Sequence, residues 1–113
     1  MKTVLIAGSA PVPGPLRDLI ERGSTSLVEL RVDGADAAPA DVDRVVFWMA
    51  APDAGIVRLA EQYARTETRQ RREIVVFVSG AGDAPPVRGL SENETYVWPR
   101  DEDRLKMAFL TGA

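Results

Sequence analysis

The sequence predicts an α/β domain built on a five-stranded parallel sheet, and three observations lead there. Three apolar runs, at 3–8, 45–50 and 74–78, contain almost no polar side chain. Such runs belong to strands covered on both faces, as in parallel sheets. Between and after them lie stretches with apolar residues at i, i+3 and i+4, the mark of amphipathic helices. The resulting order is strand, helix, strand, strand, helix, strand, strand, helix. Right-handed crossovers then place helices on both faces of a three-layer sandwich. The expected strand order is 2-1-3-4-5, in one domain spanning residues 1–113, with loops replacing the helices after strands 2 and 4.

Each element has its own warrant. Thr3-Val4-Leu5-Ile6-Ala7-Gly8 is the first strand, closed by Gly. The loop Pro11-Val12-Pro13-Gly14-Pro15 follows, then a short helix over 15–22 with Leu16, Leu19 and Ile20 on one face. Gly23 suits its stop. Val28, Leu30 and Val32 alternate with Glu29 and Arg31 in a second strand at 27–32. Alternation predicts an edge or a half-exposed face. Residues 33–43 show no apolar period and hold at most one helical turn.

Val45 to Ala50 form the third strand. Pro52-Asp53 stops it and caps the longest helix, 54–68, whose inner face is Ile56, Leu59, Ala60 and Tyr63. Arg65, Arg69, Arg71 and Arg72 crowd its end, where cations complement the helix dipole. Ile74 to Val78 form the fourth strand, ending at Ser79-Gly80. Residues 80–93, with Pro85-Pro86 and three glycines, read as loop. Thr95 to Trp98 form a fifth strand stopped by Pro99. Asp101-Glu102-Asp103 cap and charge the start of a last helix with Leu105, Ala108 and Phe109 inside.

Composition narrows the chemistry. The 113 residues include no Cys and no His. Disulfides, thiolate nucleophiles and Cys-based metal sites are excluded, and the commonest general base is missing. A net charge of −3 argues against nucleic acid as a partner. No apolar run approaches the roughly 20 residues of a membrane helix. The first segment is too short for a signal peptide, so a cytoplasmic location and no membrane partner are expected.

In open α/β sheets ligands sit beyond the carboxyl ends of the strands, where the strand order reverses. That rule places Gly8, Ser9, Ala50, Ala51, Asp53, Ser79 and Gly80 in one crevice. Gly8 lets backbone approach closely, Ser9 and Ser79 offer hydroxyls, and Asp53 is its one well-placed carboxylate. Asp53 also has a plainly structural task as a helix cap. The acids Asp33, Asp36, Asp41 and Asp43 lie near one another but miss the calcium-loop spacing, and no metal site is expected.

The stretch Asp43-Arg44-Val45-Val46-Phe47-Trp48-Met49-Ala50-Ala51-Pro52-Asp53, then Gly55, resembles the receiver domain of bacterial two-component response regulators. There an apolar strand delivers a phosphorylated Asp, with Pro, Asp and Gly soon after. Thr95-Tyr96-Val97-Trp98-Pro99-Arg100-Asp101, then Leu105, is similar to the receiver's fifth strand, Lys-Pro pair and last helix. Ser79 matches the family's Ser/Thr switch position. The departures carry the functional implication. The phospho-acceptor position falls on Trp48, the Lys position on Trp98, and Gly8-Ser9 replaces the acidic pair that holds Mg²⁺. Phosphoryl transfer needs a carboxylate nucleophile, a metal and a cation, and an indole supplies none of these. The resemblance therefore implies a degenerate receiver: non-catalytic, without cofactor, acting through a protein partner or self-association. The alternative is that both Trp are ordinary core residues of another α/β fold.

A second resemblance is to short-chain dehydrogenases and related nucleotide-binding domains. Val4-Leu5-Ile6-Ala7-Gly8-Ser9 with Gly14 looks like a reduced dinucleotide loop, and Phe77-Val78-Ser79-Gly80-Ala81-Gly82 like the strand carrying the catalytic Ser. It implies NAD(P) or another nucleotide as ligand. The middle Gly of the fingerprint is absent, and Pro11, Pro13 and Pro15 remove N–H donors. An enzyme using Asp53 or Tyr96 as acid or base would lack a paired group. Last, Pro85, Pro86, Val87 and Leu90 are expected to form an apolar interaction patch close to Trp98.

Overall fold

Burial is most complete where the sequence is most apolar. In the computed structural model, which describes residues 2–8, 10–31, 42–65, 74–83, 85–90 and 92–111, strand β3 (Arg44–Met49) is buried at all six positions. Strand β1 (Lys2–Ala7) pairs on one side of it and β4 (Ile74–Ser79) on the other. Strand β2 (Ser26–Arg31) lies outside β1 and β5 (Thr95–Val97) outside β4. All four pairings are parallel, giving the expected order β2-β1-β3-β4-β5 of a flavodoxin-like layout. The alternating strand β2 is indeed an edge, with most of its side chains exposed or half-buried.

Register assigns the two core layers. Leu5, Val46 and Val76 lie side by side and face helix α1 (Gly14–Arg22) through Leu16, Leu19 and Ile20. Leu105 and Phe109 join that layer from α3 (Glu102–Lys106) and the single π turn Met107–Thr111 that continues it. On the opposite face Val4, Val45 and Val75 meet Ile56 and Ala60 of helix α2 (Ala54–Arg65). Phe47 contacts the Tyr63 ring edge-on at 5.9 Å between centroids, a favoured aromatic geometry. Residues 66–73, including Arg69, Arg71 and Arg72, lie outside the described residues, as do Val32, Asp33, Asp36 and Asp41.

Gly23 stops α1 as expected, and two other local expectations are corrected. Gly23 ends α1 with φ −85°, so it is not required for left-handed backbone. Its need is steric: a Cβ there would stand 2.5 Å from the Phe109 carbonyl oxygen and 2.9 Å from the Phe109 Cβ. Asp101 precedes α3 but makes no side-chain cap. It turns back instead to accept the Val97 N–H at 2.8 Å, and pairs with Arg100 and Arg104. The second concerns β5, which stops at Val97. Trp98 leaves the strand to donate its N–H to the Ser79 carbonyl at 2.8 Å, and the Trp98–Pro99 peptide is cis.

At the amino-terminal edge Arg44 is only 2% exposed. Its Nε donates to Thr3 Oγ1 at 3.2 Å, and its Nη2 to the Gly23 carbonyl and to Ser24 Oγ. Its guanidinium lies 4.4 Å from the centroid of the Phe109 ring. The cation thus joins the end of α1 to the C-terminal segment. Desolvation lowers its pKa.

Two outcomes test this packing. Gly23→Ala should lower stability by about 1–3 kcal/mol, read from the urea midpoint, because the Phe109 backbone must retreat. Asp101 has its pKa held below the ordinary value by the Arg100 guanidinium first and the Val97 N–H second. A depressed acid stabilises the fold above its unfolded pKa of about 3.9 and loses that effect as pH falls through its folded value. The melting-temperature gap between wild type and Asp101→Ala should therefore be largest near neutrality and shrink below about pH 4. A gap independent of pH would assign Asp101 a purely steric role.

Candidate functional site

The crevice expected from the strand order forms at the carboxyl ends of β1, β3 and β4. Gly8 donates its N–H to the Trp48 carbonyl at 3.0 Å, which holds the exit of β1 against β3. Gly80 does the same for β4, donating to the Met49 carbonyl at 2.8 Å. Asp53 stands at the head of α2, where Oδ1 accepts the Gly55 N–H at 2.9 Å. Its helix-cap task is thereby observed. Its Oδ2 lies 3.2 Å from the point a Cβ on residue 8 would occupy, so Gly8 and Asp53 close the crevice between them. Ala50 is half-buried, packing against the α1-side core, and Ala51 is exposed. Ser9 lies outside the described residues.

Ser79 has a different task from the expected one. It is fully buried, and its hydroxyl donates to the Asp83 carbonyl at 2.7 Å and accepts the Ala81 N–H at 3.2 Å. The hydroxyl builds its own turn and so is not offered to a ligand.

Trp48 dominates the carboxyl end of the central strand. It stands in register between Ala7 and Val78, on the α1 side of the sheet, and is 3% exposed. Its six-membered ring lies over Gly80, where a Cβ would come within 2.6 Å of Cη2. The indole Nε1–H finds no acceptor among the described residues. A buried donor left unpaired costs about 1–3 kcal/mol, so the apolar contact of the ring outweighs a real penalty. Trp98 packs half-buried against the same core layer.

The expected patch at residues 85–90 is corrected. Val87 is 6% exposed and belongs to the α2-side core, with Leu90 packed against it. Trp98 belongs to the other layer, so the patch and Trp98 lie on opposite faces of the sheet. Gly89, at φ +91°, lets the loop approach α2, since a Cβ there would meet Ala64 Cβ at 2.8 Å. The Arg88 N–H donates to Glu61 at 3.0 Å. Pro85 is half-buried and Pro86 exposed. Pro85 shares a cleft of about 400 Å³ with Pro52, Asp53, Ala54 and Ala81.

Tyr96 is buried, and burial raises its phenol pKa, which argues against a base at neutral pH. Arg104 covers its ring at 4.7 Å, whereas Arg100 pairs with Asp101. Among the described residues no group of three or more His, Cys, Asp or Glu could hold a metal ion, and no helix is long and apolar enough to cross a membrane.

Sequence reasoning missed a second cleft, of about 450 Å³, between the carboxyl ends of β1 and β2. The β2 alternation carried its signal, because it puts Glu29 and Arg31 on one face of the strand. Comparison with protein-family models, curated proteins and solved structures finds no match.

A double-mutant cycle tests the Trp48–Gly80 contact. Gly80→Ala should cost about 1–3 kcal/mol in the wild-type background. It should cost at least about 0.5 kcal/mol less beside Trp48→Leu, since the smaller side chain leaves room for the methyl group. Additive losses would mean that Gly80 serves its turn alone.

Proposed function

We propose that this chain is a receiver-like module that works by protein contact, with a partner or a second copy of itself, and takes no phosphoryl group. One observation carries the reading. The position that resembles the receiver's phospho-acceptor holds Trp48, whose buried ring lies over Gly80 at the carboxyl end of the central strand. An indole has no basic lone pair with which to attack phosphorus. The nearby carboxylate, Asp53, already caps α2 through one oxygen and faces Gly8 with the other. Ser79, at the position of the switch hydroxyl, spends both its hydrogen bonds on its own turn.

The rival nucleotide reading draws less from the loop after β1. Pro11 and Pro13 offer no N–H where a phosphate-binding loop would donate several. Acid–base catalysis likewise lacks a pair of groups with complementary roles.

Incubation with acetyl phosphate and Mg²⁺, followed by intact mass measurement, should give no added phosphoryl group. An acid-stable, hydroxylamine-labile adduct would overturn the reading. Light scattering over a concentration series should report either self-association or a monomer that needs a separate partner.

A further inference from the structure

The cleft between β1 and β2 has a composition unlike that of the crevice beside it. It is lined by Ala7, Gly8, Ala10 and Pro11 and, from the edge strand, by residues 29–31, of which Leu30 packs its side chain against the α2-side core. Two charged side chains line it, Glu29 and Arg31. They differ in how they are satisfied. Glu29 is tied to Arg17 of α1 by a short ion pair, and Arg17 is further held by Glu21 at 3.0 Å. Arg31 has no hydrogen bond or ion pair among the described residues and is exposed.

The charge balance of the cleft follows. The acid is paired with Arg17 of α1, and among the described residues the one charge lining the space without such a pair is the Arg31 guanidinium. Register puts Arg31 beside Ala7, the last residue of β1, so a small side chain stands between Arg31 and Trp48. Ala7 thereby leaves volume where a larger residue would close the row. A space of about 450 Å³ falls within the range of small-molecule sites, which pair apolar walls with a few polar groups. It also lies at the carboxyl edge of the sheet, where parallel sheets bind ligands.

We propose that this cleft binds a small organic anion, a carboxylate or phosphate monoester with an apolar body, whose charged head pairs with Arg31. The planar guanidinium fits either head bidentately, and the apolar body lies against Pro11 and Ala10. The site does not depend on the receiver-like reading, since its charged group is Arg31 and only Gly8 of its lining stands at a receiver position.

Amide chemical-shift titration of the whole chain with phenyl phosphate, benzoate and inorganic phosphate tests the assignment. One or both aromatic anions should saturate, with shifts at Gly8, Ala10, Leu30 and Arg31, and inorganic phosphate should bind more weakly for lack of an apolar body. The two aromatic arms separate a phosphate ligand from a carboxylate one. Arg31→Ala should weaken binding about tenfold or more, as loss of a charge-assisted hydrogen bond does, with an unchanged melting temperature. Arg31→Lys should fall between the two, because the point charge remains and the fork is lost. Equal affinity in Arg31→Ala, shifts centred elsewhere, or no saturation by any of the three probes would each overturn the proposal.

Discussion

Strand β3 is buried on both faces along its whole length, and that constraint organises everything around it. A strand with no exposed side needs a layer on each face, which calls for α1 and α3 on one side and α2 on the other. Four of its six residues are aliphatic, Phe or Met and gain directly from burial. The other two are Arg44 and Trp48, whose polar atoms enter the core with them. The fold answers these two burials in opposite ways, and the contrast explains much of the local design.

Arg44 remains charged at neutral pH despite desolvation, since an arginine does not deprotonate in a protein. With no carboxylate partner among the described residues, it gathers carbonyl and hydroxyl oxygens at the end of α1, where the helix dipole is negative. The Phe109 face supplies a cation–π contact of about 2 kcal/mol in a desolvated setting. Phe109 then presses so close to Gly23 that only hydrogen fits. One buried cation therefore dictates a glycine, an aromatic residue and the docking of the C-terminal segment, from three separate parts of the chain. Trp48 receives no such retinue. Its N–H is unpaired among the described residues, and what the sheet provides is shape: Gly80 for its ring and Ala7 at its side.

The strand order was legible because double-sided burial leaves an unbroken apolar run, and three such runs with helices between them admit few topologies. The edge position of β2 was legible from its alternation. Asp53 as a cap was legible because its role is local. What escaped was every feature that joins distant segments. Gly23 looked like a helix stop, yet its partner is 86 positions later in the chain, which no local pattern records. Asp101 looked like a cap, yet its oxygen reaches the Val97 N–H across the turn. Pro85 to Leu90 looked like exposed loop, yet a close approach at Gly89 seats Val87 in the α2-side core. Ser79 looked available because sequence shows a hydroxyl and not the carbonyl that consumes it.

The absence of His and Cys has a structural counterpart at the carboxyl end of the sheet. A phosphoryl-transfer site must keep a carboxylate and a metal exposed to water at the end of the central strand, and the fold must tolerate their mutual repulsion. Here the same location is filled by an apolar ring and sealed by two glycines that carry backbone hydrogen bonds between strands. On the proposed reading, packing takes the place of that charge repulsion at the switch point. One open volume lies further out, at the β1–β2 edge, where Ala7 is small and the Arg31 side chain has no ion pair among the described residues. The proposed anion site is thus displaced by one strand from where the topology alone would put it, because Trp48 occupies the central place.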